Sequence, residues 1–431
     1  IVNSLSLDIK ANSIITLKNI TFNSIHLYSN GNLTLKNSVL NSSSITLYAD
    51  GSVEDAELID SSLYSYNALT ANNIKLKNKS YLSSSGKLTI TKGEFVSSEL
   101  SSNSRGYMND SIFKNSQITV NDVFTMSNVS MDSGHVSVYE NLTASNCVFR
   151  NSNNTYGTIE ARSDELSLTN CIFENNHAEY GGAIYINGGI LTINDCTFKN
   201  NNATNWGGAI CAEKTDIILK KSRFSNNNGK KNAGGAIYLQ KSSLNSDSVN
   251  ITASSATFGP AITALISNVT INKLYALKNT AKYDGGAIYC YGGNFTISNS
   301  QLEGNRAKNG GALFADNVDE LTVTGNKFIS NAADEFAGAV YSIISNTTAD
   351  KITDKNTFTS NKAKSYNDLY FSDSLSIEFY SGNYTFLKIN YTDSKLPSSY
   401  RSPYVTPVKH QGDGGNCWAF AIIATLESCI L

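Results

Sequence analysis

A ten-residue phrase, apolar-Thr-apolar-x-Asn-x-x-Phe/Leu-x-Asn, recurs along most of this chain and constrains its fold more than any other feature. It reads Leu33-Thr34-Leu35-Lys36-Asn37-Ser38-Val39-Leu40-Asn41, returns as Leu142-Thr143-Ala144-Ser145-Asn146-Cys147-Val148-Phe149, and again as Leu191-Thr192-Ile193-Asn194-Asp195-Cys196-Thr197-Phe198. Its last apolar residue anchors a series: Phe22, Leu40, Leu58, Leu76, Phe95, Phe113, Met131 and Phe149, spaced 18 or 19 apart. The series continues with Phe173, Phe198, Phe224, Ile251, Ala276, Leu302, Phe328 and Phe358, spaced 24 to 30. Sixteen anchors at a slowly lengthening period predict a solenoid. Alternation inside the phrase has period two, so each repeat holds short strands with one face inward. Repeats this short cannot bury their own apolar face. They must stack, each coil bonding to the next at about 4.8 Å, which makes a rod roughly 75 Å long. Proline is nearly absent before residue 397, as a continuous ladder requires. The expected fold is all-β, a right-handed parallel β-helix; the left-handed alternative lacks its hexapeptide pattern.

The later coils carry an insert that ends in paired glycines. It reads Ala178-Glu179-Tyr180-Gly181-Gly182-Ala183-Ile184-Tyr185 in one coil, and Gly207-Gly208-Ala209-Ile210, Gly234-Gly235-Ala236-Ile237, Gly285-Gly286-Ala287-Ile288 and Gly310-Gly311-Ala312-Leu313 in others. Such pairs supply a positive φ or a close backbone approach at a corner. With Phe-x-x-Asn (Phe173 to Asn176, Phe224 to Asn227), the pattern resembles the repeats of chlamydial polymorphic outer-membrane proteins and of adhesin-like surface proteins of methanogenic archaea. That resemblance covers most of residues 140 to 370 and implies a surface protein.

Composition agrees with that placement. Charged residues are only 16% and the polar surface is Ser, Asn and Thr instead. A net charge of −2 with six arginines leaves no basic footprint for nucleic acid. No apolar run approaches the ~18 residues of a membrane span, so no membrane attachment is visible. The start at Ile1 without a leader leads to the expectation of a fragment open at both ends. Sequons at Asn32, Asn41, Asn128, Asn141, Asn268, Asn294 and Asn383 fit an extracellular or cell-surface location.

Several side-chain groups invite a site. Cys147, Cys171 and Cys196 hold the same phrase position in three consecutive coils, but no His or carboxylate shares that register. A stacked inward ladder is expected there, and neither metal nor cofactor. Cys211 and Cys290, after Gly-Gly-Ala-Ile, also read as packing. Repeating Asn175, Asn200, Asn226, Asn305, Asn331 and Asn361 read as an asparagine ladder capping coil turns rather than a calcium or glycan site. Tyr180, Trp206 and Tyr283 stand just before glycine pairs on successive coils, either packing on the next coil or lining a sugar-binding stripe. Asp195, Asp216, Asp284 and Asp316 sit at different phrase positions, so no lyase-like carboxylate cluster is expected.

Near the C-terminus Val405-Thr406-Pro407-Val408-Lys409-His410-Gln411-Gly412-Asp413-Gly414-Gly415-Asn416-Cys417-Trp418-Ala419-Phe420 resembles the start of a papain-like cysteine peptidase. Cys417 precedes a helix-favouring run to Leu431, so it sits where a helix N-terminus favours thiolate. The resemblance implies that Cys417 is the nucleophile, Gln411 the oxyanion donor and Trp418 a neighbour of the active centre, acting on peptide or protein substrates. Gly414 stands where the family usually has a second cysteine. The catalytic His and Asn, ~130–150 residues beyond the nucleophile, would lie past Leu431. His410 is too close in sequence to serve, and His26, His135 and His177 lie in the repeats. The expected organisation is a β-helix over 1–390, a linker over 391–395, and over 396–431 the truncated N-terminus of a papain-like α+β domain, ending in its first helix from Cys417, inactive as it stands. The alternative is a non-catalytic adhesin or structural surface module binding glycan or protein.

Overall fold

In the computed structural model, all sixteen phrase anchors fall in one hydrogen-bonded column. Phe22 pairs with Leu40, Leu40 with Leu58, Leu58 with Leu76 and Leu76 with Phe95, and the register continues unbroken to Phe328 opposite Phe358. The pairing is parallel throughout, and each coil is one turn of a β-solenoid. The structure describes residues 1–3, 6–9, 14–343, 352, 355–372 and 377–379. All of them belong to a first unit, Ile1–Tyr384; the second, Thr385–Leu431, lies outside the described residues.

A short coil has three strands. Leu33–Lys36 and Val39–Asn41 lie in one sheet, A, and Ser44–Leu47 lies in another, B. The phrase asparagine makes the bend between the two A strands. Asn37, Asn73, Asn128, Asn146 and Asn170 have φ of 49°, 52°, 52°, 54° and 52°, in the left-handed region that Asn tolerates better than most residues. Beyond Phe149 the coils lengthen because a fourth strand enters between A and B. Glu165–Thr169 and Ile172–Glu174 belong to A, His177–Tyr180 to a new sheet, C, and Ile184–Asn187 to B. Sheet C has eight strands among the described residues, beginning with Asn153–Tyr156. The glycine pairs turn the chain from C to B, with a division of labour: Gly207 takes φ of 66°, while a Cβ on Gly208 would stand 2.1 Å from the Gly235 carbonyl oxygen. Sheet B closes on Leu369–Ser372, paired antiparallel with Ile377–Phe379.

Inside, the anchors stack ring on ring: Phe95 on Phe113 at 4.3 Å, Phe149 on Phe173 at 4.9 Å, and Phe198 on Phe224 at 4.6 Å. Each buried Phe contributes about 2–3 kcal/mol of hydrophobic stabilisation. Beside them runs a buried polar column that is Ser in short coils (Ser43, Ser61, Ser80, Ser98) and Asn in most long ones (Asn176, Asn201, Asn227, Asn279, Asn305, Asn331, Asn361). Every amide is spent on the neighbours: Asn201 Nδ2 donates to Phe173 O at 3.0 Å and to Asn227 Oδ1 at 3.1 Å, while Asn176 N donates to Asn201 Oδ1 at 3.1 Å. The asparagines expected as one ladder are therefore two adjacent ones. Asn175, Asn200 and Asn226 are exposed left-handed turn residues with φ of 58°, 55° and 53°, whereas Asn305, Asn331 and Asn361 belong to the buried column.

The expected fold thus stands as an all-β parallel solenoid across the described residues. The helix expected after Cys417 falls outside them.

Candidate functional site

Cys417, Gln411 and Trp418, the residues of the peptidase resemblance, lie outside the described residues, as does His410. Among the described residues the most developed surface feature arises where sheets B and C meet. Strands of B in the long coils are apolar on both faces, as in Ile184–Asn187, Ile210–Glu213 and Ile237–Gln240. The inward rows fill the solenoid. The outward row runs in register through Glu160, Tyr185, Cys211, Tyr238, Thr263, Tyr289, Phe314, Tyr341 and Tyr370.

A second row leans over it from the C-terminal ends of the C strands: Tyr156, Tyr180, Trp206, Ala233 and Phe258, and further on Phe336. The rings of the two rows touch. Tyr156 lies 4.7 Å from Tyr185, Trp206 stacks on Tyr238 at 5.3 Å, Phe258 lies 5.3 Å from Tyr289, and Phe336 lies 5.6 Å from Tyr370. Tyr185, Cys211, Ala233 and Tyr238 form a buried cluster separate from the solenoid core, with Tyr156, Tyr180, Trp206, Phe258 and Leu265 half-covering it. Phe336 of the second row and Tyr283, whose ring lies 5.6 Å from that of Phe258, are the open rings of the seam, 37% and 40% exposed.

This settles the packing of the three aromatics expected before glycine pairs. Tyr180 and Trp206 are registered neighbours, but Trp206 and Tyr283 are not on successive coils, since Ala233 and Phe258 intervene. Tyr283 itself sits one residue short of the row position, which Asp284 takes by bridging Asn309. The outward B row escaped the sequence reading because Ile-Tyr-Ile looks like an uninterrupted apolar run. Its signal is the residue directly after Gly-Gly-Ala-Ile. Cys211 holds that outward position, whereas Cys290 lies one residue later and points into the core.

Polar groups border the rings. The last positions of the B strands carry Asn187, Glu213 and Gln240 in register, and later Tyr291 and Asp316. Burial pushes the Asp284 carboxyl above its ordinary value, against the pull of the Asn309 amide that donates to it at 2.9 Å. Burial and the nearby Asp284 charge push Asp316 up as well. Of the four aspartates expected to stay apart, these two come within each other's field. Asp195 and Asp216 are exposed on another part of the coil. Burial raises the phenols of Tyr238 and Tyr289, and pushes Tyr341 up to about 12.

Elsewhere the side chains serve the fold. Cys147, Cys171 and Cys196 are buried thiols stacked in one column. Cys171 N donates to Cys196 Sγ at 3.4 Å, and Cys147 Sγ donates to Ser145 O at 3.2 Å. Hydrogen bonding with Cys171 and burial push the Cys147 and Cys196 thiols well up. No group of three or more His, Cys, Asp or Glu among the described residues is arranged to hold a metal ion. No helix among them is long and apolar enough to cross a membrane.

Comparison with known proteins bears on the same coils. The Chlamydia polymorphic membrane protein (Chlamydia_PMP) repeat matches residues 170–187, 195–213 and 277–291. Each match takes in a glycine pair and the B strand that follows it, the stretch that builds the aromatic seam. The matches do not reach residues 396–431. The chain is also similar to the metabotropic glutamate receptor-like protein R of Dictyostelium discoideum, 26% identical over 150 residues. That alignment covers 33% of this chain and 9% of the relative, so the chain spans under a tenth of the curated relative it matches. These findings support a polymorphic-membrane-protein type of repeat built into a parallel β-solenoid.

Proposed function

We propose that this chain is a surface-exposed adhesion or structural module, a right-handed β-helix whose long coils present a recognition face. The observation that carries this reading is the difference between the two kinds of coil. Short and long coils share the same interior column of anchors, so the added C strand, glycine corner and outer aromatic rows are not needed to close the solenoid. The repeat matches fall in those long coils. Right-handed winding is the hand that parallel crossover connections strongly prefer. Protease treatment of intact cells that produce the protein tests the location. Removal of the repeat region without lysis supports the reading, and full protection until lysis contradicts it.

The Gln411–Phe420 motif supports a second reading, in which the natural polypeptide also hydrolyses peptide bonds. Cys417 would attack the carbonyl, Gln411 would donate to the oxyanion, and Trp418 would pack alongside. The five described cysteines are all buried, so they are silent to a bulky thiol reagent in the native state. Peptide hydrolysis by the natural polypeptide that is lost in Cys417→Ala supports this reading. Failure of a thiol-directed peptide epoxide to label Cys417 there, with activity intact in the alanine variant, removes it.

A further inference from the structure

We propose that the aromatic seam between sheets B and C is a binding stripe for an extended, neutral polysaccharide. The inference rests on the reading of the chain as a surface module and names the ligand class of its recognition face. The seam is a cluster apart from the solenoid core, and the coils before Phe149 fold on the same interior without it. Its outer members are not sealed: Tyr283 and Phe336 are more than a third exposed, and Tyr180, Trp206, Phe258, Tyr289 and Tyr341 are half-buried.

The chemistry along it suits a sugar chain better than a protein partner. Pyranose rings present C–H faces that stack on aromatic rings, and hydroxyls around their edge that need donors and acceptors. The seam offers both, with neutral phenols on Tyr289 and Tyr341 and the polar positions Asn187, Glu213, Gln240 and Asp316 beside the rings. The rows advance one coil, about 4.8 Å, at a time, so the stripe repeats along an axis as a polymer does. Charge selects further. Glu160, Glu213, Asp284, Asp316 and Glu335 lie along the stripe and outnumber its cations, of which Arg162 is paired with Glu160 at 3.1 Å, Lys308 with Glu335 at 3.5 Å, and Lys282 is held over the Tyr283 ring at 5.0 Å. An anionic polymer would be repelled.

The test is affinity electrophoresis of the full 431-residue chain through gels holding a mixed-linkage β-glucan, a glucomannan, glycol chitin or polygalacturonate. Retardation by at least one of the three neutral polymers, and none by polygalacturonate, is expected. Tyr283→Ala and Phe336→Ala should each weaken that binding by roughly 2- to 10-fold. Tyr48→Ala and Tyr66→Ala, on exposed rings of the short coils, should leave it unchanged. If an alanine variant loses its β-sheet circular dichroism, Phe336→Leu keeps the apolar bulk without the ring and should show the same weakening. The proposal is overturned if no neutral polymer retards the chain, if polygalacturonate binds equally well, or if the seam variants bind as the parent does. It is also overturned if Phe336→Ala abolishes self-association instead, which would make a second copy the occupant. Any of these would leave the surface location untouched, since protease accessibility reads that separately.

Discussion

Four hydrogen bonds meet on the carboxamide of Asn305. Its Oδ1 accepts from the Asn279 backbone N and from Asn279 Nδ2, both at 3.0 Å, and its Nδ2 donates to Ala276 O at 3.0 Å and to Asn331 Oδ1 at 2.9 Å. All of this is shielded from water, so truncation strands several partners rather than losing one bond. Asn305→Ala should cost about 3 kcal/mol in denaturant unfolding of the repeat region. The column also has a gap. Ser254 stands where its neighbours have Asn, and its buried hydroxyl has no partner. Ser254→Asn should restore the amide chain between Asn227 and Asn279 and add roughly 1 kcal/mol in the same measurement. A third residue gives a pH dependence. His135 is held below its ordinary pKa by burial, which outweighs the Glu160 carboxylate 3.6 Å from its Nε2. With the folded value depressed, the unfolded chain takes up the proton first as pH falls. Stability is therefore full above the unfolded pKa near 6.5 and declines as pH drops toward the folded value. His135→Gln should flatten that decline in melting temperature between about pH 7 and 5.

At the scale of the strand and corner, the sequence was informative wherever one residue type answers one geometric demand. The sixteen anchors are in register because a period-two strand leaves the apolar residue no other place to go. The glycine pairs were read as serving either positive φ or close approach; the structure uses one glycine for each. Gly208→Ala should accordingly destabilise by more than an ordinary surface change. Its methyl would meet the backbone of the next coil at 2.1 Å, which no rotamer can relieve. A fall of several degrees in melting temperature, with the exposed strand change Thr143→Ala as the control, is the expected result. Less was legible where two neighbouring positions carry the same residue type. Asn175 and Asn176 differ by the face they present, and only the register shows which one enters the interior. The outer seam was half seen, through Tyr180 and Trp206. The residues under it are B-strand tyrosines whose outward direction is invisible in a strand apolar on both faces. The peptidase motif is legible in residue identity alone, since its positions lie outside the described residues.

For the repeat unit taken whole, the central claim is that coils stack in register along one axis with a constant rise. The outward threonine row of sheet A reports this directly. Thr70 reaches Thr143 in four steps, through Thr89, Tyr107 and Thr125. Thr143 reaches Thr270 in five, through Ser167, Thr192, Ile218 and Asn245. All three end residues are exposed and accept a spin label. At about 4.8 Å per step, the backbone separations are roughly 19 Å for Thr70–Thr143, 24 Å for Thr143–Thr270 and 43 Å for Thr70–Thr270. Double electron–electron resonance on the three label pairs, with Cys417 and Cys429 replaced, measures them. The solenoid predicts that the longest distance equals the other two added together, within the reach of the label arms. A Thr70–Thr270 distance that falls well short of that sum, as in a chain folded back on itself, would contradict the account.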